Sequence, residues 1–135
     1  MGFDQYHEPP DELPAETRTF ARLAASLTEE AEAIGWYAQR LAVEPDADAR
    51  AIMEDAQGEE FKHFCMDLEF LLRRTPTWQE IARGILFAEG DIVANGDAAE
   101  EGVIHGGGGS GNGSSPPSGR GSGSLGIGSL KETPR

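Results

Sequence analysis

The sequence predicts an all-α half-bundle: an antiparallel two-helix hairpin with a short third helix, completed to a four-helix bundle by pairing with a second copy. Three observations carry that prediction. Two long stretches repeat apolar residues at helical spacing and are separated by a proline break. Each places ionisable residues inside its own apolar stripe, where they need a partner. The sequence shows no fourth long helix that would close the bundle from within one chain.

Pro9, Pro10 and Pro14 discourage an early helix, so residues 1–13 read as an irregular lead-in. The first helix is expected over 14–43, with Leu23, Leu27, Ile34 and Leu41 on one stripe and Phe20 and Ala24 widening it. Glu44-Pro45-Asp46 interrupts the period, and Asp46 or Asp48 is suited to cap the second helix. That helix is expected over 47–74, ending in Arg73 and Arg74, which favour the negative end of its dipole. A connection this short between two long rods makes a hairpin. Thr75-Pro76-Thr77 stops one helix and starts another, expected over 76–89, with Trp78, Ile81, Ala82, Ile85 and Leu86 on one side and Gly90 at its end.

The helical domain is thus drawn as 1–93, an acidic and then Gly/Ser-rich linker as 94–123, and a terminal segment as 124–135. The linker composition cannot form a core, and 106–123 is expected to reach roughly 23 Å as a flexible tether. Apolar residues return only in SLGIGSLK, as Leu125, Ile127 and Leu130. A tether ending in spaced apolar side chains reads as a docking peptide.

The formal charge is −13 over 135 residues, and it is unevenly placed. Residues 1–105 hold 8 basic and 23 acidic side chains, a net of −15, whereas the remainder is weakly positive. So acidic a body is a poor ligand for nucleic acid or an anionic membrane and attracts cations instead. No stretch approaches the ~20 apolar residues a bilayer requires, and the first ten lack the basic-then-apolar order of a secretion signal. A single cysteine, Cys65, excludes an intrachain disulfide; set among Phe64, Met66 and Leu68, it is expected to be packed. A soluble protein of a reducing, cytoplasmic compartment is the expectation.

Steps of four and three along the first helix run Leu23, Leu27, Glu30, Ile34, Tyr37, Leu41, so Glu30 interrupts an apolar stripe. On the second helix the spacing from Met53 and Ala56 continues through Glu60 and His63 to Phe70. Glu60 and His63, three apart, point the same way and can share a metal. Carboxylates with an imidazole suit iron, manganese or zinc. A di-iron carboxylate bundle uses a Glu from each of two helices and a Glu-x-x-His from each of two others. This chain supplies half of that set, and two-fold pairing supplies the rest while closing the seam. Glu29 and Glu32, with Trp36 four further on, can form a cation-attracting rim. Asp67, one turn beyond His63, reads first as a solvated acid, with orientation of the His63 ring as the second reading.

The runs Glu29-Glu30-Ala31-Glu32-Ala33-Ile34-Gly35-Trp36-Tyr37, Glu59-Glu60-Phe61-Lys62-His63 and Leu86-Phe87-Ala88-Glu89-Gly90 resemble the encapsulated ferritins. SLGIGSLK is similar to the peptide that directs cargo into encapsulin shells. The resemblance implies a ferritin-like bundle formed by two chains, assembled into a decameric ring, with a di-iron site at the dimer interface. It implies Glu30, Glu60 and His63 as iron ligands with Tyr37 adjoining, and Glu29, Glu32 and Trp36 as a site for incoming metal. It implies a ferroxidase that hands iron(III) to an encapsulin nanocompartment for mineral storage, docked through Leu125, Ile127 and Leu130. Gly35, where the family often has an acid, and Phe61-Lys62, in place of a more charged pair, depart from the pattern without removing a ligand. Two other readings of the same residues are a non-catalytic helical scaffold that docks to a shell, and a peroxidase or manganese enzyme on the same bundle.

Overall fold

A computed structural model describes residues 6–106, all of whose regular structure is helical. A short 3-10 turn, Pro10–Glu12, leads into α1 (Ala15–Val43), α2 (Ala47–Arg74), α3 (Pro76–Ile85) and α4 (Ile92–Gly106). Leu125, Ile127 and Leu130, and the Gly/Ser stretch before them, lie outside the described residues.

The long hairpin forms for local reasons. Pro14 starts α1 and Glu44-Pro45 ends it, because proline disfavours helix at the residue before it. The Asp46 carboxylate accepts the Ala49 amide at 2.8 Å and caps α2. At the other end, Arg74 lies over the Phe70 ring at 3.4 Å and Arg73 pairs with Glu69 at 2.7 Å. At 1.5 Å per residue, the two rods are about 42–44 Å long. They pack along their length and are tied across the seam by Gln57, whose amide donates to the Ile34 carbonyl at 3.1 Å. Arg50 donates to the Leu41 carbonyl close to the turn.

The hairpin leaves its seam unfinished. Among the described residues only Ala25, Leu71 and Leu72 are buried. Leu23, Leu27, Glu30, Ile34, Tyr37 and Leu41, the stripe read from the sequence, are all half-buried. About a hundred described residues with so few enclosed side chains have not satisfied their hydrophobic surface by themselves.

A second, smaller hairpin of α3 and α4 corrects the sequence reading. The acidic stretch assigned to the linker from 94 is helical to Gly106, and α3 stops at Ile85 rather than 89. Phe87 and Gly90 adopt positive φ (61° and 97°) and reverse the chain. Asp91 then accepts the Ala94 amide at 2.8 Å, and the Asn95 side chain donates to the Glu89 carbonyl at 3.0 Å, starting α4. The helix is hidden in the sequence because its packing face is made of small residues, which carry little hydrophobic period. A Cβ built on Gly84 of α3 would lie 2.6 Å from the Ala99 Cβ, so the two helices approach as only glycine permits. Gly84→Val should therefore separate α3 from α4 at a cost of about 1–3 kcal/mol. The check is amide exchange in α4, which should accelerate strongly while α1 and α2 keep their protection.

Candidate metal centre

Glu30 reaches the seam from the middle of α1, while Glu60 and His63 reach it from the middle of α2. One ligating atom from each of the three comes within 4.8 Å of the others. No other such group of acids, histidines or cysteines occurs among the described residues. Glu30 and Glu60 are half-buried and His63 is exposed, so the cluster opens to the unfinished side of the hairpin. The Nδ1 of His63 is 3.5 Å from the Glu60 carboxylate. Its Nε2 is 4.0 Å from Glu59, a residue the sequence reading passes over although it stands four before His63 on the same helix.

The electrostatics are those of a site short of a cation. The Glu30 carboxyl is raised from its ordinary range to about 6, first by a hydrogen bond to Glu60, then by burial and by repulsion from Glu60. The charge of Asp67 pushes the same way, while His63 opposes it. Asp67, half-buried one turn beyond His63, thus bears on Glu30 across the seam. Two facing carboxyls that disfavour each other's charge form an arrangement a metal ion relieves. Two carboxylates and one imidazole are a donor set suited to iron(II), manganese(II) or zinc(II). Glu59 is held below the usual carboxylate range by its hydrogen bond and ion pair with Lys62.

The raised Glu30 sets a pH dependence. Its folded value lies above the unfolded one near 4.5, so the folded chain holds the extra proton between the two. The relative stability this proton confers is present below about 4.5 and lost as pH rises through about 6. Denaturant melts of metal-free protein should show that loss between pH 4.5 and 7, and Glu30→Gln should flatten it. Divalent metal reverses the trend, because protons compete with the ion below pH 6.

The other expected residues are placed less tightly. Tyr37 is half-buried one heptad from Glu30, with the Arg40 guanidinium 5.4 Å from its ring centre. Glu29 and Glu32 are exposed, as is Trp36 at 54%, and none of them joins the cluster. His7 is exposed, and His105, expected in an irregular segment, sits on α4 3.7 Å from Glu101. Cys65 is exposed rather than packed: Phe64 and Leu68 are half-buried, while Cys65 and Met66 face outward. No helix among the described residues is long and apolar enough to cross a membrane.

An all-helical hairpin that brings one Glu from one helix against a Glu-x-x-His on the other has the donor types and spacing of half a ferritin-like carboxylate bundle. The model of the EncFtn-like family matches residues 5–89, and the chain belongs to that family. It is 41% identical over 93% of its length to an encapsulated ferritin-like protein of Rhodospirillum rubrum, of which it covers 86%. It is 45% identical over 66% of its length to a ferritin-like protein of Thermotoga maritima, of which it covers 78%. In three dimensions it is similar to the crystal structure of protein ne0167 from Nitrosomonas europaea, with a TM-score of 0.64 and 37% identity. That match covers 66% of this chain and 98% of that one.

Proposed function

We propose that the protein is a ferroxidase, oxidising iron(II) to iron(III) with dioxygen at a di-iron site shared by two chains, and that it delivers the product into an encapsulin shell. The observation that carries the reading is the meeting of Glu30, Glu60 and His63 within 4.8 Å on the open side of a half-finished bundle. Three donors are too few for a pair of iron ions, and the two-fold operation that buries the exposed seam also doubles the donors. Glu30 and Glu60 offer hard oxygen donors that favour iron(III) over iron(II), so the ligands themselves help each substrate ion give up its electron. His63 contributes a neutral nitrogen and must be unprotonated to do so. Tyr37 adjoins the centre. Glu29, Glu32 and Trp36, exposed on α1, receive incoming iron(II) at an acidic rim. The name of the Rhodospirillum rubrum relative supports a shell partner. Dimers arranged in a decameric ring, inside a cytoplasmic nanocompartment, complete the reading.

Purified protein loaded with iron(II) without oxygen and then exposed to air should develop iron(III) absorbance far faster than iron(II) in buffer. A flat trace would leave a scaffold. Rapid consumption of added peroxide with manganese, in preference to iron and dioxygen, would instead mark a different di-metal enzyme. Metal and assembly are also linked, since a site split between chains exists only in the paired state. Native mass should shift from monomer towards dimer and larger forms on addition of iron(II) or a surrogate divalent ion. A mass unchanged by metal contradicts the shared site.

A further inference from the structure

His63 is the least enclosed of the three residues in the cluster. Its side chain is 45% exposed, against 23% for Glu60, so packing does little to fix the angle of its ring. Yet each ring nitrogen faces a carboxylate. Nδ1 lies 3.5 Å from Glu60, and Nε2 lies 4.0 Å from Glu59. The helix dictates this arrangement. Positions three and four before His63 fall on either side of it, Glu60 about 60° round one flank and Glu59 about 40° round the other. Glu60 belongs to the cluster with Glu30, whereas Glu59 stands outside it on the exposed flank.

We infer that Glu59 is a positioning residue for His63: it accepts the hydrogen of Nε2 and so presents Nδ1, the nitrogen facing Glu60, to the metal ion. The inference rests on the reading of His63 as a metal ligand given above. A neutral imidazole carries its one hydrogen on either ring nitrogen, and only the bare nitrogen can bind a metal. A carboxylate beside Nε2 selects the tautomer with the hydrogen there and leaves Nδ1 bare. A separation of 4.0 Å is longer than a hydrogen bond, and a modest turn of the exposed ring shortens it.

Lys62 steadies the carboxylate in turn. Its ammonium pairs with Oε2 of Glu59, the same oxygen that faces Nε2, and a carboxylate oxygen can accept from both. Lys62, Glu59 and His63 thus form a chain of contacts along the outer flank of α2 that ends at the nitrogen facing the cluster. Asp67, the acid one turn further on, bears on Glu30 instead.

The test is an anaerobic titration of the full-length protein with cobalt(II) alone, in competition with a chelator, the visible bands of cobalt reporting occupancy. Glu59→Ala should weaken binding by roughly 10–100-fold, the loss usual when the partner of a ligating imidazole is removed, with the helical circular-dichroism signal unchanged. Glu59→Gln should keep most of the affinity, because its amide oxygen still accepts the ring hydrogen. Both variants remove the same charge, so the pair separates positioning from simple attraction of a cation. In a His63→Ala chain, adding Glu59→Ala should cost nothing further, since the ring through which Glu59 acts is gone. Equal losses in the Ala and Gln variants, or a full second loss on adding Glu59→Ala to His63→Ala, would overturn the inference. So would a Glu59→Ala chain that binds like the intact one while His63→Ala binds weakly; that result leaves His63 a ligand and the proposed function standing. Cobalt(II) binding indifferent to His63→Ala would overturn both.

Discussion

Glu60→Ala and His63→Ala each abolish most iron(II) oxidation while leaving the helical circular-dichroism signal in place. The expected loss is at least about 100-fold in rate, since removing a residue that merely supports a metal ligand already costs about 10–100-fold. Two-fold pairing deletes the ligand at both symmetry-related positions, which deepens the effect. Stability should not follow activity. Glu60 is half-buried against Glu30, and its removal takes away the main cause of the raised Glu30 carboxyl. Glu30 should then titrate nearer its ordinary range, visible as a flatter dependence of stability on pH. Metal-free melts and air-oxidation traces of the two variants test both halves of the claim. Near-normal oxidation in both variants would exclude this site.

Deleting residues 124–135 abolishes packaging and spares chemistry. The deletion removes Leu125, Ile127 and Leu130, the first large apolar side chains after the Gly/Ser-rich run, and keeps Glu30, Glu60 and His63 in the chain. On the proposed docking role, Gly126 and Gly128 would let the backbone lie close to a shell wall while the three side chains enter apolar pockets. Oxidation in solution should be unchanged, and co-purification with a co-expressed encapsulin should fall to background. Changing Leu125 and Leu130 together to Asp should do the same, because an unpaired carboxylate in an apolar pocket is costly. Packaging of the truncated chain at the level of the intact one would refute the docking role.

Most of the hairpin is legible in the sequence because local signals and long-range packing agree there. The Glu44-Pro45-Asp46 break and the Asp46 cap fix the turn, and α2 runs over the residues its period marks out. Glu30 stands out because a carboxylate in an apolar stripe demands a partner, and the structure brings Glu60 and His63 to it. The features that escape have weaker or misleading signals. The face of α4 against α3 includes Gly96 and Ala99, too small to raise a hydrophobic period. Cys65 misleads through Phe64 and Leu68, which the helix turns partly inward while Cys65 stays outside. Glu59 is inconspicuous because its role is set by the His63 ring and Lys62 together, a relation that emerges only once side chains are placed.

The central claim, that each chain carries half of a di-iron site, is tested most directly by anaerobic titration with iron(II) followed in parallel by native mass spectrometry and by oxidation on admitting air. Binding should saturate at one iron per chain, the bound ions should occur as pairs only in species containing an even number of chains, and oxidation should track those species. A monomer that holds two irons and oxidises them unaided would contradict it.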